Sequence, residues 1–143
     1  MSITPGSGFV PAWASVVFGA VGAAACNYAT KLKFVINIDD VLDIFAVHAV
    51  GGFVSNTLIA FFAANYIAHL DGEPLIAGGW LNGNYIQLAY QLADSIAGGA
   101  YSFLGTCLIL FILNLIPGLH LRAAESAEIL GIDDTEIGEF AVS

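Results

Sequence analysis

A histidine inside hydrocarbon-like sequence is costly to bury and chemically versatile, and this chain has one. His48 lies within the apolar run Val41–Tyr66, and Asp39, Asp40 and Asp43 gather at the start of that run. A neutral imidazole carries one donor and one acceptor, so it can take a proton or hand one on. His48 falls about eight residues into the run, roughly 12 Å along a helix. An ionisable group at that depth marks an ion or proton path. A structural bond to a neighbouring helix would account for it equally well. The carboxylates can cap the helix and complement its dipole, with Asp40 and Asp43 as the capping candidates. Asp43, His48 and Ser55 are the residue types of an acid–base–nucleophile set. Their spacings along one helix do not bring them to one reacting atom, so no catalytic group is expected and the chain does not read as an enzyme.

Three apolar stretches must position these residues. The first, residues 9–30, would span about 33 Å as a helix, enough for a bilayer core. Pro11 sits near its start, Trp13 suits an interface, and Gly19/Ala23 and Gly22/Cys26 give small-residue spacings that favour close helix packing. The second, residues 41–66, carries His48, then Gly51-Gly52 and Ser55-Asn56-Thr57. The third, residues 85–116, is longer than a perpendicular span needs and stops before Pro117-Gly118. In its first half Gln87, Tyr90, Gln91 and Asp94 recur at helical spacing, a polar stripe suited to bonding between helices. The segment 67–84 reads as a loop with Trp80 as an anchor. Residues 119–143 form an acidic tail.

Composition agrees with a membrane chain. Hydrophobic residues make up 58% of the 143 and charged residues 10%, with mean hydropathy +0.83; soluble domains run near 45–50% apolar and about 25% charged. Three Lys and Arg against 12 Asp and Glu leave too few cations to neutralise phosphates, which excludes electrostatic nucleic-acid binding. Cys26 and Cys107 sit in apolar runs as small hydrophobes. One isolated histidine makes no metal site, and no cofactor motif is present. Lys31 and Lys33 lie in the first link and Arg122 opens the tail. The positive-inside rule then places the N-terminus outside and the tail in the cytoplasm.

The run Asp39-Asp40-Val41-Leu42-Asp43-Ile44-Phe45-Ala46-Val47-His48-Ala49-Val50-Gly51-Gly52 resembles the DDxxDxFxxHxxGG signature of the ammonium transporter (Amt/MEP/Rh) superfamily. Further stretches are similar to its fungal MEP branch: Phe9–Ala14, Cys26–Lys33, Tyr85–Leu88, Gln91–Ser95, Asn114–Leu119 and the tail from Leu121 to Ala141. The resemblance implies an all-α membrane fold: three transmembrane helices like helices nine, ten and eleven of an eleven-helix transporter, followed by a cytoplasmic tail. Residues 1–118 would form the membrane region and 119–143 the tail.

The resemblance also implies roles. His48 would be the second pore histidine and Ile44, one turn earlier, would lie at an aliphatic constriction on the cytoplasmic side. Asp40 and Asp43 would cap the helix near that end of the pore. Ammonium or ammonia would be the substrate, with no cofactor, in a homotrimer embedded in membrane lipid, at the plasma membrane. Ser55 stands where many members have Gly. Three helices with polar faces cannot enclose a pore alone, so the isolated chain is expected to be inactive. The alternative is a non-transporting three-helix membrane protein that associates with full-length transporters.

Overall fold

The computed structural model describes residues 2–36, 40, 42–70, 72, 76–118, 121 and 125–130. Asp39, Val41, Arg122 and most of the 119–143 tail lie outside the described residues. All regular structure among the described residues is helical. Contacts divide the chain into two compact units, Met1–Gly98 and Gly99–Ser143.

In the first unit, a 3-10 turn at Thr4–Gly6 precedes helix α1, Ala14–Ala29. The first apolar stretch is therefore not helical from Phe9. Pro11 has no N–H to give a preceding turn; its carbonyl instead accepts the Ala14 amide at 2.9 Å, the first bond of the helix entry. Ser15 Oγ donates to the Ala12 carbonyl at 2.6 Å on the same turn. At the other end Thr30 Oγ1 donates to the Asn27 carbonyl at 2.8 Å, and a short helix α2, Leu32–Ile36, follows.

The second apolar stretch begins as a π-helical turn, Phe45–Val50, which continues into helix α3, Gly51–Phe62. Its start is fixed by Asp43, whose φ of 52° is left-handed and cannot lie inside a right-handed helix. His48 thus falls in the first turn of the element, not about eight residues in. The stretch does not continue to Tyr66 as one helix. Ala63 turns extended at ψ 128°, and its carbonyl accepts the Gly79 amide at 2.8 Å while Ala64 donates to the Phe9 carbonyl at 2.9 Å. A separate helix α4, Asn65–Leu70, lies beyond the break, so the segment expected to be loop starts within a helix. No Gly or Pro announces the break; bonds to distant backbone make it.

α1 packs on α3 through Ala14, Phe18, Ile59 and Ala63, with Val10, Leu58 and Phe62 around them. Phe18 is fully enclosed. Phe62 meets Trp13 and Phe18 edge to face, at centroid distances of 5.6 and 6.0 Å, and each such pair contributes about 0.5–1.5 kcal/mol. The small-residue expectation holds on one face of α1. A Cβ on Gly51 would come 3.1 Å from Cys26 Sγ, and Gly22 is buried, whereas Gly19 faces open space. In a bilayer this close fit gains van der Waals contact, because lipid removes most of the hydrophobic drive between helices.

A 3-10 turn at Trp80–Asn82 leads to helix α5, Gln87–Asn114. Trp80 stacks edge to face on Phe61 at 4.5 Å and on Tyr85 at 5.5 Å. Asn82 and Asn65 form two reciprocal bonds, Asn65 N–H to Asn82 Oδ1 at 2.9 Å and Asn82 Nδ2 to Asn65 Oδ1 at 3.1 Å. The first turns of α5 belong to the first unit. The second unit holds the rest of α5, which ends before Pro117, and helix α6, Glu125–Leu130. The π turn with α3 and the whole of α5 are long and apolar enough to cross a membrane, at 18 and 28 residues. α1 has 16 residues in regular helix.

Candidate functional site: the turn that carries His48

The chain from Asp40 to Val50 is built as a hooked entry to α3. Asp43 donates its amide to the Asp40 carbonyl at 3.3 Å, which closes a tight turn. Asp40 then reaches forward with both carboxylate oxygens. Oδ1 accepts the Ile44 amide at 2.9 Å and Oδ2 the Phe45 amide at 3.0 Å. Those are two of the amides that a helix start leaves without partners, and a carboxylate there also meets the positive end of the helix dipole. Asp43 does something else. Its carbonyl accepts the Val47 amide at 2.9 Å, and its carboxylate pairs with Lys33 Nζ at 2.8 Å. Lys33 Nζ also donates to the Asp40 carbonyl at 3.0 Å.

Ile44 and His48, one turn apart, are both exposed, while Ala46 between them is buried. The π turn thus presents an aliphatic side chain and an imidazole outward while its opposite side packs inward. π turns inside α-helices are uncommon and recur at functional sites. A cavity of about 340 Å³ opens beside the turn, lined by Thr30, Lys33, Ile36, Asp43, Ile44 and Phe45 among others. A second, of about 410 Å³, lies at the other end of α3, with Phe9, Asn56, Ile59, Gly78, Gln87 and Gln91 in its walls. No group of three His, Cys, Asp or Glu side chains among the described residues is arranged to hold a metal ion.

The polar stripe of α5 is engaged by a single residue of α3. Asn56 Nδ2 lies 3.1 Å from the Gln91 carbonyl, 3.0 Å from Asp94 Oδ2 and 2.9 Å from Ser95 Oγ. Ser55, next to it, is completely enclosed. Its hydroxyl has no hydrogen-bond partner among the described residues.

Sequence reasoning brought forward Asp40, Asp43, Ile44 and His48 but used Lys33 only to orient the chain and gave it no partner. It also passed over the π turn, for which a single sequence carries no signal. Asn56 did have a signal: an amide in an apolar helix needs partners.

Two helices long and apolar enough to cross a membrane, one of them opening on an uncommon turn that carries a histidine, are the features of an all-α membrane chain. The comparisons narrow the class. The model of the Ammonium Transporter Family matches residues 1–142, and the chain belongs to that family. It is 56% identical over 142 residues to Ammonium transporter 1 of Schizosaccharomyces pombe, covering 99% of this chain and 29% of the relative. It is 44% identical to Ammonium transporter MEP2 of Saccharomyces cerevisiae, covering 98% of this chain and 28% of the relative. The crystal structure of Candida albicans Mep2 superposes with a TM-score of 0.81 at 48% identity, over 98% of this chain and 30% of that one. The chain therefore has an all-α membrane fold and spans under a third of the length of these relatives.

Proposed function

We propose that this chain is the C-terminal, pore-bearing part of an ammonium transporter, with helices like the ninth to eleventh of an eleven-helix fold. The observation that carries this reading is the outward pairing of Ile44 and His48 on the π turn, within a chain of the ammonium transporter family. In a complete transporter the remaining helices would face that surface and enclose a pore. Ammonium would lose its water and its proton on entry, and uncharged ammonia would pass an apolar constriction containing Ile44. His48, with one donor and one acceptor, would hydrogen-bond the passing ammonia or relay the proton. Asp40 and the Asp43 turn would hold the cytoplasmic end of that segment. The assembly would be a homotrimer in the plasma membrane, with the N-terminus of this segment outside and the tail in the cytoplasm.

The test is His48→Ala in a complete transporter, for example the fission-yeast relative with residues 1–142 in the matching position. Uptake rate or the preference for ammonium over potassium should change at equal surface protein. If both stay as in the parent, the pore role is wrong.

A second reading has one observation in its favour: α5 contains no buried residue, so its apolar surface is free to meet another protein. The 143-residue chain would then be a non-transporting partner of complete transporters. An antibody against residues 123–140 separates the two on a blot of native membranes. A band about three and a half times the calculated 14.9 kDa, as expected where this chain covers 29% of the fission-yeast relative, supports the transporter. A band at 14.9 kDa supports the partner.

A further inference from the structure

Lys33 lies on α2, outside the Asp40–His48 segment, and the proposed transport makes no use of it. Its ammonium group nevertheless forms the one ion pair among the described residues. The two partners of Lys33 Nζ, the hydrogen-bonded Asp40 carbonyl at 3.0 Å and the ion-paired Asp43 Oδ1 at 2.8 Å, sit at the two ends of the same turn. That turn decides where the next element begins. It contains the left-handed Asp43, and it supplies the carboxylate that receives the Ile44 and Phe45 amides and the carbonyl that receives the Val47 amide.

A surface ion pair alone holds little, because water and salt screen it. Two features set this one apart. The lysine donates a hydrogen bond to a backbone carbonyl while its charge lies against a carboxylate, so one ammonium group meets both ends of the turn. Both partners also belong to a backbone hook with a sterically disfavoured residue in it, which relaxes unless something closes it.

We infer that Lys33 is a positioning residue: by clamping the Asp40–Asp43 turn at both ends, it fixes the register in which the π turn presents Ile44 and His48. Its effect on transport rests on the pore reading of His48. Its effect on the turn does not.

The experiment uses the complete fission-yeast transporter carrying residues 1–142 of this chain. Amide hydrogen exchange at Ile44–His48 is followed with ammonium and methylammonium uptake, each normalised to surface protein. Lys33→Met should speed exchange at these amides about tenfold and change the ratio of the two uptakes. Lys33→Arg should keep both near the parent, and Lys33→Asp with Asp43→Lys should restore part of the protection lost in Lys33→Asp alone. If Lys33→Met does not accumulate, Lys33→Gln against Lys33→Arg makes the same comparison with the side chain's length nearly kept. Exchange at Ile44–His48 that is the same with and without a cation at position 33 overturns the proposal. So does Lys33→Arg matching the loss in Lys33→Met or Lys33→Gln. Faster exchange in Lys33→Met with His48→Ala silent in uptake sinks the pore reading and leaves the clamp standing.

Discussion

Replacing Asn56 with Asp keeps the side chain's shape and exchanges its amide nitrogen for an oxygen. In the structure that nitrogen is 3.0 Å from Asp94 Oδ2 and within 3.1 Å of two more oxygens, the Gln91 carbonyl and Ser95 Oγ. Two N–H groups serve three acceptors, so one donor is shared. Removing both donors forfeits about 0.6 kcal/mol per interhelical bond at membrane-typical values, and up to about 1.7 for the best of them. Asn56→Ala should therefore cost about 1–2 kcal/mol. Asn56→Asp adds a second carboxylate about 3 Å from the first. Two like charges at that separation repel by about 1.4 kcal/mol in water and about 5.5 at an effective dielectric of 20. Asp94 is exposed, so the lower half of that range applies. The isosteric change should thus be worse than truncation, by about 1–3 kcal/mol.

The assay is thermal unfolding in detergent of the complete transporter with this segment, followed by tryptophan fluorescence; Trp80 lies in the loop that leads to α5. The order of midpoints should be parent, Asn56→Ala, then Asn56→Asp. Adding Asp94→Asn to Asn56→Asp puts a donor back on the other side of the contact and should recover most of the loss. Asn56→Asp as stable as the parent, or a double variant no better than the single, would show that α3 and α5 are not held at this point. Asp94→Asn alone should not raise the parent's midpoint, because a gain there as large as in the double variant would mark a general effect and not this contact.

Three other outcomes follow from the same structure. Asp40→Ala removes the acceptor of two helix-entry amides and should cost about 1–2 kcal/mol; Asp40→Asn keeps one oxygen and should cost about half, with the difference read in the exchange rates of Ile44 and Phe45 alone. Asp43→Asn keeps a residue that tolerates φ 52° and loses only the ion pair, while Asp43→Val adds about 1–2 kcal/mol of backbone strain; equal stabilities of the two would refute a left-handed turn here. Gly79→Ala drives a Cβ into the Ala60 carbonyl oxygen and brings it 3.1 Å from that of Ile59. Backbone cannot step aside as a side chain can, so the variant should lose about 1–3 kcal/mol and, with it, the Gly79-to-Ala63 bond, seen as protease cutting within residues 77–83.

Much of the architecture was legible because hydrophobicity marks helices, and apolar runs of this length have few other forms in a membrane. The α5 stripe read as a place of bonding between helices, and Asn56, which the sequence did not single out as its partner, meets it. The ends of the elements were not legible. The sequence around Ala63 and Ala64 favours continuing the helix. It stops there because Phe9 and Gly79, distant along the chain, bond to the two alanines. Likewise Asp43 reads as a helix-start carboxylate in composition, and only its dihedral angle shows that the helix starts after it.

The late start at Asp43 matters most for the site. A straight α-helix from Val41 would put His48 two turns into the element, with every backbone group bonded in standard register and no reason for one face to differ from another. A start at Ile44 leaves His48 in the first, wider turn, where register depends on a carboxylate, a left-handed residue and a lysine from another helix. Such a turn can be shifted by small changes at its base, whereas a mid-helix residue moves only with the whole helix. The position of the imidazole is thus set from the Asp40–Asp43 end. Substitutions there should alter where the imidazole sits before they alter whether the protein folds.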